Sequence, residues 1–125
     1  MRARAAVAAV AMLLAGCGGE ENGGDPEAYV RDGERICADY ETQIAELEQP
    51  QQLRDIGVYI SQATPILEET VRRIEALDPP PDLRDEYDTF REAASETLER
   101  AESLRQSAES GDSAEVERLL AEARE

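Results

Sequence analysis

The sequence predicts an all-α domain: a small antiparallel bundle of three long helices plus a short C-terminal helix. Apolar residues recur every three or four positions over residues 26–125, which is the period of an amphipathic helix. No segment alternates apolar and polar residues as a half-buried strand does. Short breaks rich in proline or glycine separate the periodic segments. Such short connections favour antiparallel packing of neighbouring helices.

The first helix is expected to begin at Asp25 and Pro26, because aspartate caps helix ends and proline presets the first backbone angle. Cys37 lies beside its apolar stripe, and Pro50 ends the helix. The stripe consists of Tyr29, Ile36, Tyr40, Ile44 and Leu47.

The second helix is predicted from about Gln51 to Leu77, with a kink one turn before Pro65, because proline removes a helical hydrogen bond. This kink could wrap the helix around the core or form a bulge for a ligand. The predicted apolar stripe is Leu53, Ile56, Ile60, Ala63, Leu67, Thr70, Ile74 and Leu77.

A stiff polyproline corner over residues 78–82 separates the second and third helices, and Asp82 is expected to cap the third helix. Gly111 should end that helix, and Asp112 with Glu115 should begin the fourth. The third stripe is Leu83, Tyr87, Phe90, Ala94, Leu98, Ala101, Leu104 and Ala108. The fourth is Val116, Leu119, Leu120 and Ala123.

The N-terminus carries two arginines and an apolar run from Ala5 to Ala15, which is too short to span a bilayer and fits a secretory signal. Leu14, Ala15, Gly16 and Cys17 follow in a pattern that resembles the lipobox of bacterial lipoprotein signal peptides. A plain signal peptide with a chance cysteine, or an amphipathic start, is the alternative.

The lipobox resemblance implies cleavage before Cys17, a diacylglyceryl group on its thiol and an acyl chain such as palmitate on its amine. It divides the chain into a signal peptide (1–16), a lipidated cysteine with a flexible Gly/Glu-rich linker (17–25) and a helical domain (26–125). Two or more acyl chains anchor a protein stably. The implied location is the extracytoplasmic face of the cell membrane, with the bilayer as partner through acylated Cys17.

A looser resemblance covers residues 34–120. It is carried by Ile36-Cys37-Ala38, Thr64-Pro65-Ile66, the proline corner between Leu77 and Leu83, and Tyr87-Asp88-Thr89-Phe90. These motifs are similar to those of small helical actinobacterial lipoproteins whose function is uncharacterised. Some of these proteins carry a second cysteine near the C-terminus as a partner for the early one, and this sequence has none there.

The composition excludes several classes of function. Eleven arginines and 29 acidic residues follow Cys17, giving this part a net charge of −18, which opposes binding to nucleic acid or flat on anionic lipid. Histidine is absent, so Ser-His-Asp catalysis and Glu-x-x-His di-iron sites cannot form. We therefore expect no enzyme and no cofactor.

Two features remain as candidate sites. Asp78, Asp82 and Asp85 surround the proline corner and could hold Ca²⁺ loosely, or they could simply cap helices and face solvent. Cys37 could pair with a cysteine beyond the C-terminus, pair between chains, or lie buried as a small apolar residue, and the buried interpretation is favoured.

The expected function is a helical interaction module for an unknown envelope protein. The alternative is a small-ligand carrier or sensor with its pocket near Pro65.

Overall fold

The computed structural model describes residues 24–125, so the predicted signal peptide, the lipobox and most of the predicted linker lie outside the described residues. The helices are α1 (Pro26–Ala45), α2 (Ile56–Glu75), α3 (Arg84–Glu109) and α4 (Ser113–Glu122). Two short 3₁₀ turns, Leu53–Asp55 and Pro81–Leu83, precede α2 and α3. Over this part of the chain there is no strand, and the predicted arrangement of three long helices and one short helix is confirmed.

The predicted starts of α1 and α4 and the predicted end of α3 are confirmed. Helix α1, however, ends at Ala45, five residues before Pro50, and α2 begins at Ile56 and not near Gln51. The Asp25 carboxylate accepts a hydrogen bond from the Ala28 amide at 3.1 Å, and the Asp112 carboxylate accepts one from Glu115 at the same distance. Gly111 ends α3 with φ of 75°, a left-handed conformation that glycine adopts without strain. Asp82, however, does not cap α3. Pro81 begins a 3₁₀ turn that already contains Asp82, and α3 starts after Leu83.

The helices pack mainly against their neighbours in the chain: α1 on α2, α2 on α3, and α3 on α4. Ile74 near the end of α2 meets Tyr87 near the start of α3, while Gly57 and Ala108 meet at the other end, so α2 and α3 are antiparallel. A buried cluster of Ile36, Ile74 and Tyr87 joins α1, α2 and α3. The Arg73 guanidinium also binds the Asp39 carboxylate at 2.9 Å, linking α2 to α1.

Some stripe positions differ from the prediction. Phe90 is exposed because α4 is only ten residues long, about 15 Å, and therefore covers α3 no further back than its C-terminal half. Leu53 is exposed in the turn before α2, and Ala123 is exposed after α4. Thr64 and Val71, which lie off the predicted stripe, are buried. The Thr64 hydroxyl donates to the Ile60 carbonyl at 2.6 Å, so its polar group is satisfied.

The α-helix α2 continues through Pro65, whose side chain is exposed. None of the helices in residues 24–125 has the length and apolar character needed to cross a bilayer.

Candidate functional site

The N-terminal end of the described chain contacts the proline corner, residues 78–82. The Gly24 amide donates a hydrogen bond to the Pro79 carbonyl at 3.2 Å. The two backbones are so close that a Cβ on Gly24 would lie 2.1 Å from the Asp78 carbonyl oxygen. Pro79 and Pro80 are themselves buried. Gly24, predicted as part of the flexible linker, is therefore held against the domain.

Tyr87 connects α3 to α2 and α1 at the same end of the bundle. Its hydroxyl shares its one hydrogen between two carbonyls in the last turn of α2, those of Ile74 at 2.9 Å and Glu75 at 3.1 Å. Its ring meets Tyr29 edge to face, with centroids 6.3 Å apart. Burial raises the pKa of the Tyr87 phenol above its ordinary value, although nearby Arg91 opposes the shift. The phenol therefore stays protonated and remains a donor.

Asp78, Asp82 and Asp85 around the proline corner are the carboxylates considered for loose Ca²⁺ binding. No group of three metal-ligating side chains that could hold an ion occurs within residues 24–125. Asp78, Asp82 and Asp85 are all exposed, and the extended backbone at Pro80 (φ −64°, ψ 157°) separates Asp78 from the other two. Among the described residues, Asp78, Asp82 and Asp85 are thus not brought together as a set of three oxygen ligands.

Cys37 is a free, exposed cysteine, so its interpretation as a buried apolar residue is wrong. The neighbouring Ile36 takes the core position and is 4% exposed. One residue further along a helix, a side chain is rotated by about 100° around the axis. That rotation is enough to move the Cys37 thiol out of the narrow contact between α1 and its neighbours.

Two open grooves lie at the end of the bundle far from the proline corner. The first, of about 460 Å³, lies between the α1–α2 connection and the first turns of α2; we name it the distal groove. Its walls include Glu46, Leu47, Glu48, Pro50, Asp55, Val58 and Tyr59. The second, of about 330 Å³, separates Leu53 and Gly57 from Val116 at the α3–α4 turn. Neither groove reaches Pro65, where the ligand-carrier hypothesis placed a pocket.

The distal groove was missed at the sequence level because its most exposed apolar residue, Val58, lies off the helical stripe. Val58 is 65% exposed, which is unusual for a branched aliphatic side chain. An apolar residue between the stripe positions Ile56 and Ile60 is the only sequence signal for it.

Comparison of the chain with protein-family models, with curated proteins and with solved structures gave no match.

Proposed function

We propose that this protein is a membrane-anchored, extracytoplasmic lipoprotein whose helical domain acts as an interaction module for another envelope protein. The observation that carries the proposal is the contact of Gly24 with Pro79, which fixes one end of the bundle to the end of the linker. The eight residues from Cys17 to Gly24 are joined by seven peptide links and span at most about 25 Å. Helix α3 alone has 26 residues and a length of about 39 Å.

If Cys17 is acylated, these lengths place the two ends of the domain at different distances from the bilayer. The proline corner lies within linker reach of the bilayer, and the end with the distal groove extends beyond it. The net charge of −18 after Cys17 repels anionic headgroups and so opposes lying flat on the membrane. An anchored helical domain with a free outer end suits capture of a partner protein.

Replacement of Cys17 tests the anchor. The full chain, Cys17→Ser and the matched control Cys37→Ser are expressed in a bacterium fed with labelled palmitate, and membranes are separated from soluble protein. We expect label and membrane partition for the parent and for Cys37→Ser. Cys17→Ser should carry no label and should stay uncleaved or be released. A Cys17→Ser protein that migrates and fractionates like the parent contradicts the proposal.

The alternative, a small-ligand carrier or sensor, draws support from the volumes of the two grooves, which fall within the range of small-molecule sites. Crosslinking in intact membranes followed by purification separates the two functions. A crosslinked protein supports the interaction module, whereas a small molecule that copurifies without a protein supports the carrier.

A further inference from the structure

The lining of the distal groove combines apolar side chains with carboxylates and with the glutamines Gln49, Gln51 and Gln62. Val58 presents an exposed aliphatic side chain beside half-buried Leu47, Pro50 and Tyr59. Burial raises the pKa of the half-buried Tyr40 phenol, and the nearby Tyr59 phenol raises it further. Tyr59 therefore lies close to Tyr40 of α1. Exposure of such apolar surface to water is unfavourable, and its burial against a partner lowers the free energy of the complex.

The charges of the groove are of one sign. Its lining contains the carboxylates of Glu46, Glu48 and Asp55 and no arginine. Asp55 already accepts the backbone amides of Gln51 at 3.3 Å and Gln52 at 3.1 Å and forms an ion pair with the neighbouring Arg54 at 3.8 Å, so it is not available to a partner. Glu46 and Glu48 lie exposed at the rim, where they can meet an incoming cation.

We propose that the distal groove binds a basic peptide segment of a partner protein. An aliphatic side chain of that segment packs on Val58 and Leu47, and flanking lysine or arginine side chains pair with Glu46 and Glu48. The Tyr59 ring offers a second contact to a cation through its face. This inference rests on the interaction-module proposal and names the chemistry of the partner.

The test uses the full chain in non-ionic detergent and three short fluorescent peptides, followed by fluorescence anisotropy. The first peptide has lysines around a pair of leucines, the second has glutamates in place of the lysines, and the third has serines in place of the leucines. We expect the first to bind most tightly. Raising the salt concentration should weaken its binding several-fold, because exposed charges are screened.

Matched variants separate the groove from general attraction to an acidic protein. Val58→Ser should weaken binding of the first peptide about fivefold, because buried aliphatic area is lost, whereas Val30→Ser, at the other end of the bundle, should not. Glu48→Gln should weaken binding more than Glu99→Gln, which makes the same change of charge on α3.

Three outcomes overturn the inference: equal effects within either pair of variants, equal binding of the leucine and serine peptides, or full competition by spermidine at equal charge concentration. Because binding is measured in detergent, its failure leaves the anchoring result with Cys17→Ser unaffected.

Discussion

The Tyr87 side chain combines hydrogen bonds at the end of α2 with packing in the buried cluster. The last carbonyls of a helix lack partners within that helix. The Tyr87 hydroxyl lies within hydrogen-bond distance of the Glu75 carbonyl and of the Ile74 carbonyl, which also accepts the Leu77 amide. The same side chain fills the cluster with Ile36 and packs against Tyr29. One residue of α3 therefore closes the end of α2 and joins both helices to α1.

Replacing Tyr87 with phenylalanine tests this role. Tyr87→Phe keeps the ring but removes the hydroxyl donor from the Glu75 carbonyl and one of the two donors from the Ile74 carbonyl, which keeps the Leu77 amide at 3.1 Å. We therefore expect a loss of about 1–2 kcal/mol in the free energy of unfolding. Tyr59→Phe, which removes a phenol from a half-buried ring on α2, is the control and should change stability by less than about 0.5 kcal/mol. Urea unfolding followed by circular dichroism measures both, and equal effects would argue against the capping role.

At the level of elements, two glycines give opposite predictions for the same substitution. Gly24→Ala places a Cβ 2.1 Å from the Asp78 carbonyl oxygen, so the linker end must leave the proline corner and we expect a loss of about 1 kcal/mol. Gly33→Ala lies inside α1 with open space around its Cβ, so it should stabilise by about 0.5–1 kcal/mol through helix propensity. Thermal melts of the full chain measure both changes, and shifts of the same sign would contradict the contact.

The helices themselves were predictable from the sequence because their signals are local. A spacing of three and four residues, capping aspartates before α1 and α4, and Gly111 each act within one or two turns. The start of α3 was displaced because Pro81 favours a turn before the residue chosen as the cap.

Exposure was less predictable because it depends on how far a neighbouring helix extends. Phe90 follows the spacing of α3 but lies beyond the reach of short α4. Cys37 is adjacent to the stripe yet exposed, since α1 is covered over a narrow contact only. The distal groove is formed by a connection and a helix start, and periodicity carries no information about how these two meet.

For the whole molecule, net charge controls the response to pH. With −18 after Cys17, carboxylates crowded on the folded domain repel one another more than those on the unfolded chain. This repulsion opposes compaction, so reducing the negative charge by lowering the pH from 8 to 5 at low ionic strength should raise the free energy of unfolding. Added salt should have a similar effect by screening the charges.

The ion pair between Arg118 and Glu115 has the opposite effect on stability, but only at pH values below the range from 8 to 5. The hydrogen bond from Arg118 to Glu115 lowers the pKa of the Glu115 carboxyl below its ordinary value. A lowered pKa contributes stability that is present above the unfolded pKa, near 4.5, and is lost as pH falls through the folded value. Melting temperatures from pH 8 to 5, with and without salt, measure the net effect. A melting temperature that falls steadily over this range, or that ignores salt, would show that specific ion pairs outweigh repulsion.

The packing of each helix on its neighbours in the chain has a consequence for how the protein acquires its structure. Most helix contacts join consecutive elements, so the chain closes mainly short loops as it folds. Helical proteins with such local contacts fold in microseconds to milliseconds. Under the proposed export across a membrane, N-terminus first, α1 would pack on α2 as soon as both had emerged, well before α4 followed.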